Sequence, residues 1–126
     1  MGTRNGVRAI KQRKKTMSHE TTVTVTNNNG LLSVAVGDSR LKPKGQKNLK
    51  WTLSTAGYQF TSDGIAIQNN TGQFTNFNNS NNGQTYTVDD ANTDSISYTY
   101  TINVVASSNP ALRGRLDPMI QNGENR

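Results

Sequence analysis

The segment from residue 96 to residue 105 alternates strictly between apolar and polar side chains. Its apolar members are Ile96, Tyr98, Tyr100, Ile102 and Val104, and the residues between them are Ser97, Thr99, Thr101 and Asn103. A period of two sends the two sets to opposite faces of a β-strand, whereas a helix would scatter both sets around its axis. The pattern predicts a half-buried strand and favours a fold made of sheets.

The same period recurs along most of the chain. Val23 and Val25 alternate with threonines, and residues 27–30, Asn-Asn-Asn-Gly, then supply side chains that tolerate left-handed backbone angles. The alternation resumes at Leu32 and Val34, which predicts a β-hairpin. Further alternating groups are Leu49, Trp51 and Leu53; Tyr58 and Phe60; Ile65 and Ile67; and Tyr86 and Val88.

About seven short strands, with turn residues roughly every 8 to 12 positions, predict an all-β, antiparallel sandwich. Only 31% of the residues are hydrophobic and 17% are charged, which excludes coiled coils and helix bundles. The chain contains no cysteine, so it has no disulfide frame. In a core this small, five aromatic residues should carry much of the packing. They are Trp51, Tyr58, Phe60, Tyr98 and Tyr100.

Residues 94–100, Asp-Ser-Ile-Ser-Tyr-Thr-Tyr, resemble the Asp-x-Ala-x-Tyr-x-Cys run of immunoglobulin-like domains, with Tyr100 at the cysteine position. The resemblance implies an immunoglobulin-like sandwich in which the Tyr98 hydroxyl bonds back to the backbone. Trp51 is similar to the tryptophan that packs across such a sandwich. Both family cysteines are absent. The resemblance covers roughly residues 20–105 and carries no function with it.

The formal net charge of +6 resides entirely in residues 1–16. This leader contains six basic residues and no acid, namely Arg4, Arg8, Lys11, Arg13, Lys14 and Lys15. Residues 17–126 hold eight basic and eight acidic residues and are neutral. Three interpretations remain open: an extension upstream of a functional start at Met17, a disordered solubilising arm, and an arm that binds nucleic acid weakly and without specificity.

The ends of the chain frame one predicted domain over residues 17–120. The leader lacks the apolar stretch of a secretory signal, so we expect a cytoplasmic protein. Leu112, Leu116, Met119 and Ile120 suggest one last short strand or a docked tail, which Pro118 limits to an edge. Residues 121–126 should fray.

A second basic segment lies inside the predicted domain. Its five positive charges are Arg40, Lys42, Lys44, Lys47 and Lys50, with no acid between them. Residues 40–46 are expected to form a flexible connection. The segment is either a linker whose charges balance the acidic turn described next, or a surface for nucleic acid. It contains no aromatic residue that could stack on a base.

Three oxygen-bearing side chains occupy alternate positions, as calcium ligands do. They are Asp90, Asn92 and Asp94. An EF-hand would then require glycine and glutamate where Ser95 and Thr101 stand, so an EF-hand is excluded. The remaining alternatives are a looser calcium site, with help from Asp89, and a solvated acidic turn without a ligand.

Residues 68–84 are rich in asparagine and contain Phe74 and Phe77. They predict a long surface loop that holds a short edge strand around Phe74. Glycosylation-type triplets at Asn69 and Asn78 fit an asparagine-rich composition and are taken as accidental. Trp51, Tyr58 and Tyr86 could form an aromatic platform for sugars, but their alternation with polar neighbours points them at the core.

The chemistry-bearing residues are few. His19 is the single histidine, and no pair of carboxylates falls where alternation would bury both, so nothing is poised as a general acid or base. We therefore predict a non-catalytic interaction module without a cofactor, which presents residues 69–83 or a sheet edge to an unidentified protein partner and has no membrane partner. The alternatives are a structural subunit of a surface or virion-like assembly and weak nucleic-acid binding through the leader.

Overall fold

A computed structural model describes residues 19–45 and 47–123, which are all-β. Its ten strands are β1 (His19–Asn28), β2 (Leu31–Val36), β3 (Arg40–Leu41), β4 (Asn48–Leu53), β5 (Tyr58–Ile67), β6 (Phe74–Ser80), β7 (Thr85–Asp90), β8 (Ser97–Ala106), β9 (Asn109–Leu116) and β10 (Met119–Gln121). The predicted all-β class is confirmed, although the strands outnumber the predicted seven. None of the described residues belongs to a helix that is long and apolar enough to cross a membrane.

The strands form two sheets. Sheet one has the order β2-β1-β4-β7-β6, and sheet two has the order β3-β10-β8-β5, with β9 also paired to β8. The pairs β1 with β4 and β10 with β3 are parallel, so the predicted purely antiparallel arrangement is wrong there. Because β2 already occupies one edge of β1, β4 reaches the other edge only after a crossover, and it enters parallel to β1.

The hairpin between β1 and β2 forms where the turn residues predict it. Asn29 and Gly30 have φ angles of 55° and 89°, and two consecutive positive φ angles define the type I′ turn that matches the twist of paired strands. The Gly30 amide donates to Asn27 Oδ1 at 2.8 Å. Asn28 then faces Leu31 across the ladder.

Apolar side chains from both sheets form one buried cluster. Three aromatic pairs connect the sheets, with ring centroids 5.4 Å apart for Trp51 and Tyr100, 5.8 Å for Phe60 and Tyr86, and 4.8 Å for Phe74 and Tyr98. The predicted burial of Trp51, Phe60, Tyr98 and Tyr100 is confirmed. Tyr58 is only half-buried and packs against the edge of the cluster.

The long alternating strand differs from prediction at its first residue. β8 begins at Ser97, and Ile96 is 50% exposed instead of lying in the core with Tyr98 and Tyr100. The Ile96 amide donates to Asp94 Oδ1 at 3.3 Å, so Ile96 still belongs to the turn that precedes the strand. A turn of this kind is stabilised by a side-chain acceptor two residues earlier, and alternation alone does not report it.

The two sheets approach each other closely where β2 meets β9. Gly114 lies on β9, and a Cβ atom placed there would be 2.9 Å from Val34 Cγ2 and 3.0 Å from Leu32 Cβ. Glycine is therefore required by close packing at this position, since its φ lies outside the left-handed region.

The asparagine-rich segment contains a seven-residue strand, β6, at the edge of sheet one. The edge strand around Phe74 is thus confirmed, and the long loop predicted for residues 68–84 is wrong over β6. The register shifts between Thr75 and Asn78, where Asn76 has a φ of 54°. This bulge shifts the side-chain period along β6, which hides the period of two from sequence analysis.

The C-terminal segment is docked rather than frayed at its start. Pro118 separates β9 from β10, and β10 pairs with the first part of β8. Asn122, the residue after β10, is 1% exposed. The predicted fraying therefore does not hold for residues 121–123, and residues 124–126 lie outside the described part of the chain.

Candidate functional site

Asp90 is the last residue of β7, and it is 0% exposed. The strand alternates between buried and half-buried residues, and its buried positions are Tyr86, Val88 and Asp90. The alternation therefore continues two residues beyond Val88 and places the carboxyl group of Asp90 in the core layer. The interpretation of residues 89–94 as a solvated turn does not hold at Asp90.

A tight turn after β7 folds the next residues back onto this carboxyl group. The Asn92 amide donates to Asp90 Oδ1 at 2.9 Å, and Asn92 has a left-handed φ of 53°. Asn92 is 2% exposed, and its Oδ1 accepts from the Gly123 amide at 2.9 Å. The turn is therefore fastened both to β7 and to the C-terminal segment.

Asn122 joins both acidic residues of this turn. Its Nδ2 atom lies 3.1 Å from Asp90 Oδ1, 3.1 Å from Asp94 Oδ1 and 3.3 Å from Gln73 Oε1. Gln73 is held in turn by Thr93, whose amide donates to the same Gln73 Oε1 at 2.9 Å. We call the side chains of Gln73, Asp90, Asp94 and Asn122 the corner cluster.

Burial dominates the electrostatics of the corner cluster. Desolvation raises the pKa of Asp90 from 3.8 to about 6, and the negative charge of Asp94 adds to the rise. The hydrogen bonds from Asn92 and Asn122 oppose it because they favour the ionised carboxylate. Asp90 therefore titrates within the range of mildly acidic solutions.

Tyr98 lies on β8 and borders the corner cluster. Its hydroxyl donates to Asp94 Oδ2 at 2.5 Å and lies 3.3 Å from Thr71 Oγ1. The immunoglobulin resemblance implied a bond from this hydroxyl to the backbone, whereas here it goes to a carboxylate four residues earlier in the chain. Burial and the bond to Asp94 raise the pKa of Tyr98.

The sequence indicated Asp90, Asn92 and Asp94, and the structure brings all three together. It also adds Gln73 and Asn122, which sequence analysis missed because they are distant in the chain and one lies in a segment expected to fray. Within residues 19–45 and 47–123, no three His, Cys, Asp or Glu side chains are grouped closely enough to hold a metal ion. Any cation here would need amide oxygens as well as the two carboxylates.

The basic segment is anchored more firmly than a linker. Arg40 opens β3, and its guanidinium donates to Gln121 Oε1 at 3.2 Å and to Ser97 Oγ at 3.5 Å. Leu41 is 1% exposed and belongs to the core. The segment's lysines Lys42, Lys44 and Lys47 are exposed, and Lys50 is half-buried in β4. Arg40 therefore links β3 to β10 and β8 within sheet two instead of joining a free cationic surface.

Two other predicted binding features, the leader cations and the aromatic platform, are not part of the candidate site. The leader cations, Arg4 to Lys15, lie outside the described residues, so their predicted contact with nucleic acid stays a prediction. Trp51 and Tyr86 are 0% and 3% exposed, so neither can stack on a sugar. The aromatic platform is excluded.

The outer surface of β6 is polar except at Phe77, which is 39% exposed. Asn76 Nδ2 donates to Asp89 Oδ2 at 2.8 Å, which fixes the bulge to β7. Asn79 Nδ2 donates to the carbonyl oxygens of Phe60 and Thr61 at 3.2 and 2.9 Å, which fixes the far end of β6 to β5. The strand is thus held rigidly at both ends.

No protein-family model matches the chain, and no curated protein matches it in sequence. Functional inference therefore depends on the geometry of the site.

Proposed function

We propose that this protein is a non-catalytic, immunoglobulin-like module that binds a protein partner through its Asn-rich edge, residues 69–83. The observation that carries the proposal is an exposed phenylalanine, Phe77, at the centre of a rigid, amide-lined edge strand. Aromatic side chains surrounded by polar groups that hydrogen-bond are typical of protein contact surfaces.

The order of six strands supports the immunoglobulin-like part of the proposal. Immunoglobulin domains place strands B, E and D side by side in one sheet and strands C, F and G in the other. Here β4, β7 and β6 are neighbours in sheet one, and β5, β8 and β9 are neighbours in sheet two, with antiparallel pairing throughout. Naming β4 to β9 as strands B to G reproduces both orders. In this alignment Trp51 lies on strand B rather than on strand C.

Backbone geometry supports a preformed contact surface. Asparagines adopt left-handed φ angles of 53–55° at several turns, and four of them lie in the Asn-rich edge. These are Asn69, Asn76, Asn81 and Asn82. Left-handed backbone is restrictive for a residue with a side chain, so these positions are set by the frame. A surface fixed before binding loses less conformational entropy when a partner arrives.

The partner should contact side chains rather than extend the sheet. A bulge at Asn76 interrupts the regular backbone of β6, and bulges are a device by which proteins prevent pairing at an edge strand. The Asn79 amide covers carbonyl groups of β5, at the edge of the other sheet. The exposed aromatic ring and the amide groups therefore remain as the contacts.

Burial of the polar chemistry supports a role without catalysis. Asp90 and Asn122 are 0% and 1% exposed, so a substrate cannot reach them directly from solvent. Asp94 is bonded by Tyr98 and Asn122. A general acid or base must instead lie within hydrogen-bond reach of a bound substrate.

A capture experiment from extracts of the native host tests the contact surface. Phe77→Ser removes the exposed ring from the Asn-rich edge, and Leu31→Ser removes a 74% exposed apolar side chain from the opposite edge strand of the same sheet. Surface substitutions of this kind change stability by only about 0.5 kcal/mol. We expect Phe77→Ser to lose partners that the wild type and Leu31→Ser both retain. Identical partners for all three proteins would refute the proposal.

A further inference from the structure

Three acceptor oxygens converge on one amide nitrogen in the corner cluster. Asn122 Nδ2 lies 3.1–3.3 Å from oxygens of Asp90, Asp94 and Gln73. An amide group has two hydrogens, so it cannot donate a full hydrogen bond to all three acceptors. The nitrogen thus occupies a position with more acceptor oxygens around it than it can satisfy.

Two further oxygens in the cluster are buried without a donor. Asp90 Oδ2 and Asn122 Oδ1 have no hydrogen-bond partner among the described residues, although both side chains are almost completely inaccessible to solvent. Leaving a buried polar atom without a partner is costly, and the cost is larger for a charged group. The cluster therefore brings three oxygens together at one nitrogen and leaves two more buried oxygens without a donor.

We propose that the corner cluster binds a calcium ion, with oxygens of Asp90, Asp94, Gln73 and Asn122 as ligands. The ion takes over the position where the Asn122 nitrogen now meets three oxygens, and the Asn122 amide turns so that Oδ1 faces the ion. Calcium accepts six to eight oxygen ligands, including carboxylates, amide oxygens and water, at about 2.3–2.6 Å. The three oxygens must therefore move inward by about 0.7 Å from their present distances.

The ligand chemistry selects calcium over other divalent cations. Zinc prefers nitrogen and sulfur ligands, whereas the ligand atoms here are all oxygens. Magnesium demands near-ideal octahedral geometry at about 2.0–2.1 Å and gives up its water reluctantly. An irregular set of carboxylate and amide oxygens suits the larger, more tolerant ion.

An open cavity of about 490 Å³ beside the cluster provides access. Asn92 and Thr93 line it, together with Gly45 and Lys47. Asn92 is bonded directly to Asp90, and Thr93 to Gln73. Lys47 opposes a cation, but Asp90 and Asp94 together carry two negative charges against its one.

Calorimetric titration of the full chain with calcium chloride, after treatment with EDTA, tests the proposal. We expect one saturable site with a Kd of about 10⁻⁵–10⁻³ M and little response to magnesium. At a hundredfold excess over Kd, Tm should rise by at least about 5 °C. The Asn122 side-chain NH₂ resonances in an ¹⁵N-edited spectrum should shift as calcium binds.

Matched variants separate this site from general attraction of cations to acidic residues. Asp90→Asn and Asp94→Asn should abolish calcium binding, whereas Asp89→Asn, which removes an equal charge next to Asp90 but outside the cluster, should retain it. Absence of binding by the wild type up to about 10 mM calcium, or an equal loss in Asp89→Asn, would overturn the proposal. If a cluster variant does not fold, the Asn122 resonances of the wild type decide: unchanged resonances at saturating calcium would also overturn the proposal.

Discussion

Trp51 and Tyr100 join the two sheets through a buried hydrogen bond as well as through their rings. Trp51 Nε1 donates to the Tyr100 hydroxyl at 3.0 Å, and both side chains are 0% exposed. Tyr100 stands where the immunoglobulin-like run would carry its second cysteine. The pair connects β4 to β8 across the core; in the proposed alignment these strands correspond to B and F, which immunoglobulin domains connect with a disulfide. Burial also raises the pKa of Tyr100 well above its ordinary value.

A double-mutant cycle measures this connection. Tyr100→Phe leaves the Trp51 N–H buried without an acceptor, so it should cost about 1–3 kcal/mol of unfolding free energy. Trp51→Phe removes the donor together with part of the packing. Because the two residues share one hydrogen bond, the double variant should be more stable than additivity predicts by about 1 kcal/mol, as measured by chemical denaturation.

Tyr98→Phe provides the control for that cycle. The Tyr98 hydroxyl bonds to Asp94 and Thr71 rather than to Trp51, so combining this change with Trp51→Phe should be additive within about 0.5 kcal/mol. Additivity in the Trp51 and Tyr100 cycle as well would show that the bond contributes nothing to stability.

Asp90 should make the protein, free of calcium, less stable as the pH rises through about 6. Its folded-state pKa lies above its unfolded value of 3.8, so its contribution is fully present below about pH 4 and is lost as the pH rises through about 6. The difference between a pKa of 3.8 and one of about 6 corresponds to about 3 kcal/mol. Denaturation in EDTA at several pH values should therefore show stability falling between pH 4 and pH 7.

Asp89 and Asp117 act in the opposite direction. Hydrogen bonds from Asn76 and Thr101, respectively, hold their pKa values below the ordinary value, so their contributions are lost as the pH falls below about 4. Asp90→Asn should flatten the fall in stability between pH 4 and pH 7, whereas Asp89→Asn should leave it in place. A fall that persists in Asp90→Asn would assign it to another group.

The close approach of β2 and β9 predicts a steric effect at Gly114. Gly114→Ala places a Cβ within 3.0 Å of Leu32 and Val34, so it should destabilise the protein by about 1–3 kcal/mol. Gly37→Ala adds the same methyl group at ordinary contact distance, 3.4 Å from Thr21 Oγ1, and should change stability by less than about 0.5 kcal/mol. Equal thermal shifts for the two variants would contradict the packing of the two edges.

Much of the fold could be predicted from the period of two. It identifies the inward residues of β1, β2, β4, β7 and β8, because a strand with one buried face must alternate. It does not reveal strand direction, since a parallel and an antiparallel neighbour bury the same face. The parallel pairing of β1 with β4 therefore could not be predicted from the period and is seen only in the structure. The full extent of strand β6 could not be predicted because its bulge shifts the period of its side chains.

The corner cluster could be predicted only in part. Asp90, Asn92 and Asp94 are close in sequence, so their spacing indicates oxygen ligands. Asn122 reaches them because β10 pairs with the first residues of β8, and local sequence does not encode this long-range pairing. Continuing the alternation of Tyr86 and Val88 by two residues predicts the burial of Asp90.

The basic leader is predicted to bind nucleic acid without help from residues 17–126. If residues 1–16 bind duplex DNA, six cations should give a log–log dependence of affinity on salt with a slope of up to about −5. A chain shortened to start at Met17 is neutral and should lose nearly all of this binding. Titrations of both chains at several salt concentrations measure the difference. Equal binding by both would place the contact at the lysines between residues 42 and 50.

Site-specific photo-crosslinking in the native host tests most directly whether the Asn-rich edge is the binding surface. A photoreactive phenylalanine analogue is placed at Phe77, on β6, and in a matched chain at Leu31, on the opposite edge of the same sheet. We predict a discrete covalent adduct with a host protein from position 77 and none from position 31. An adduct from position 31 alone, or none from either position, would contradict the proposed function.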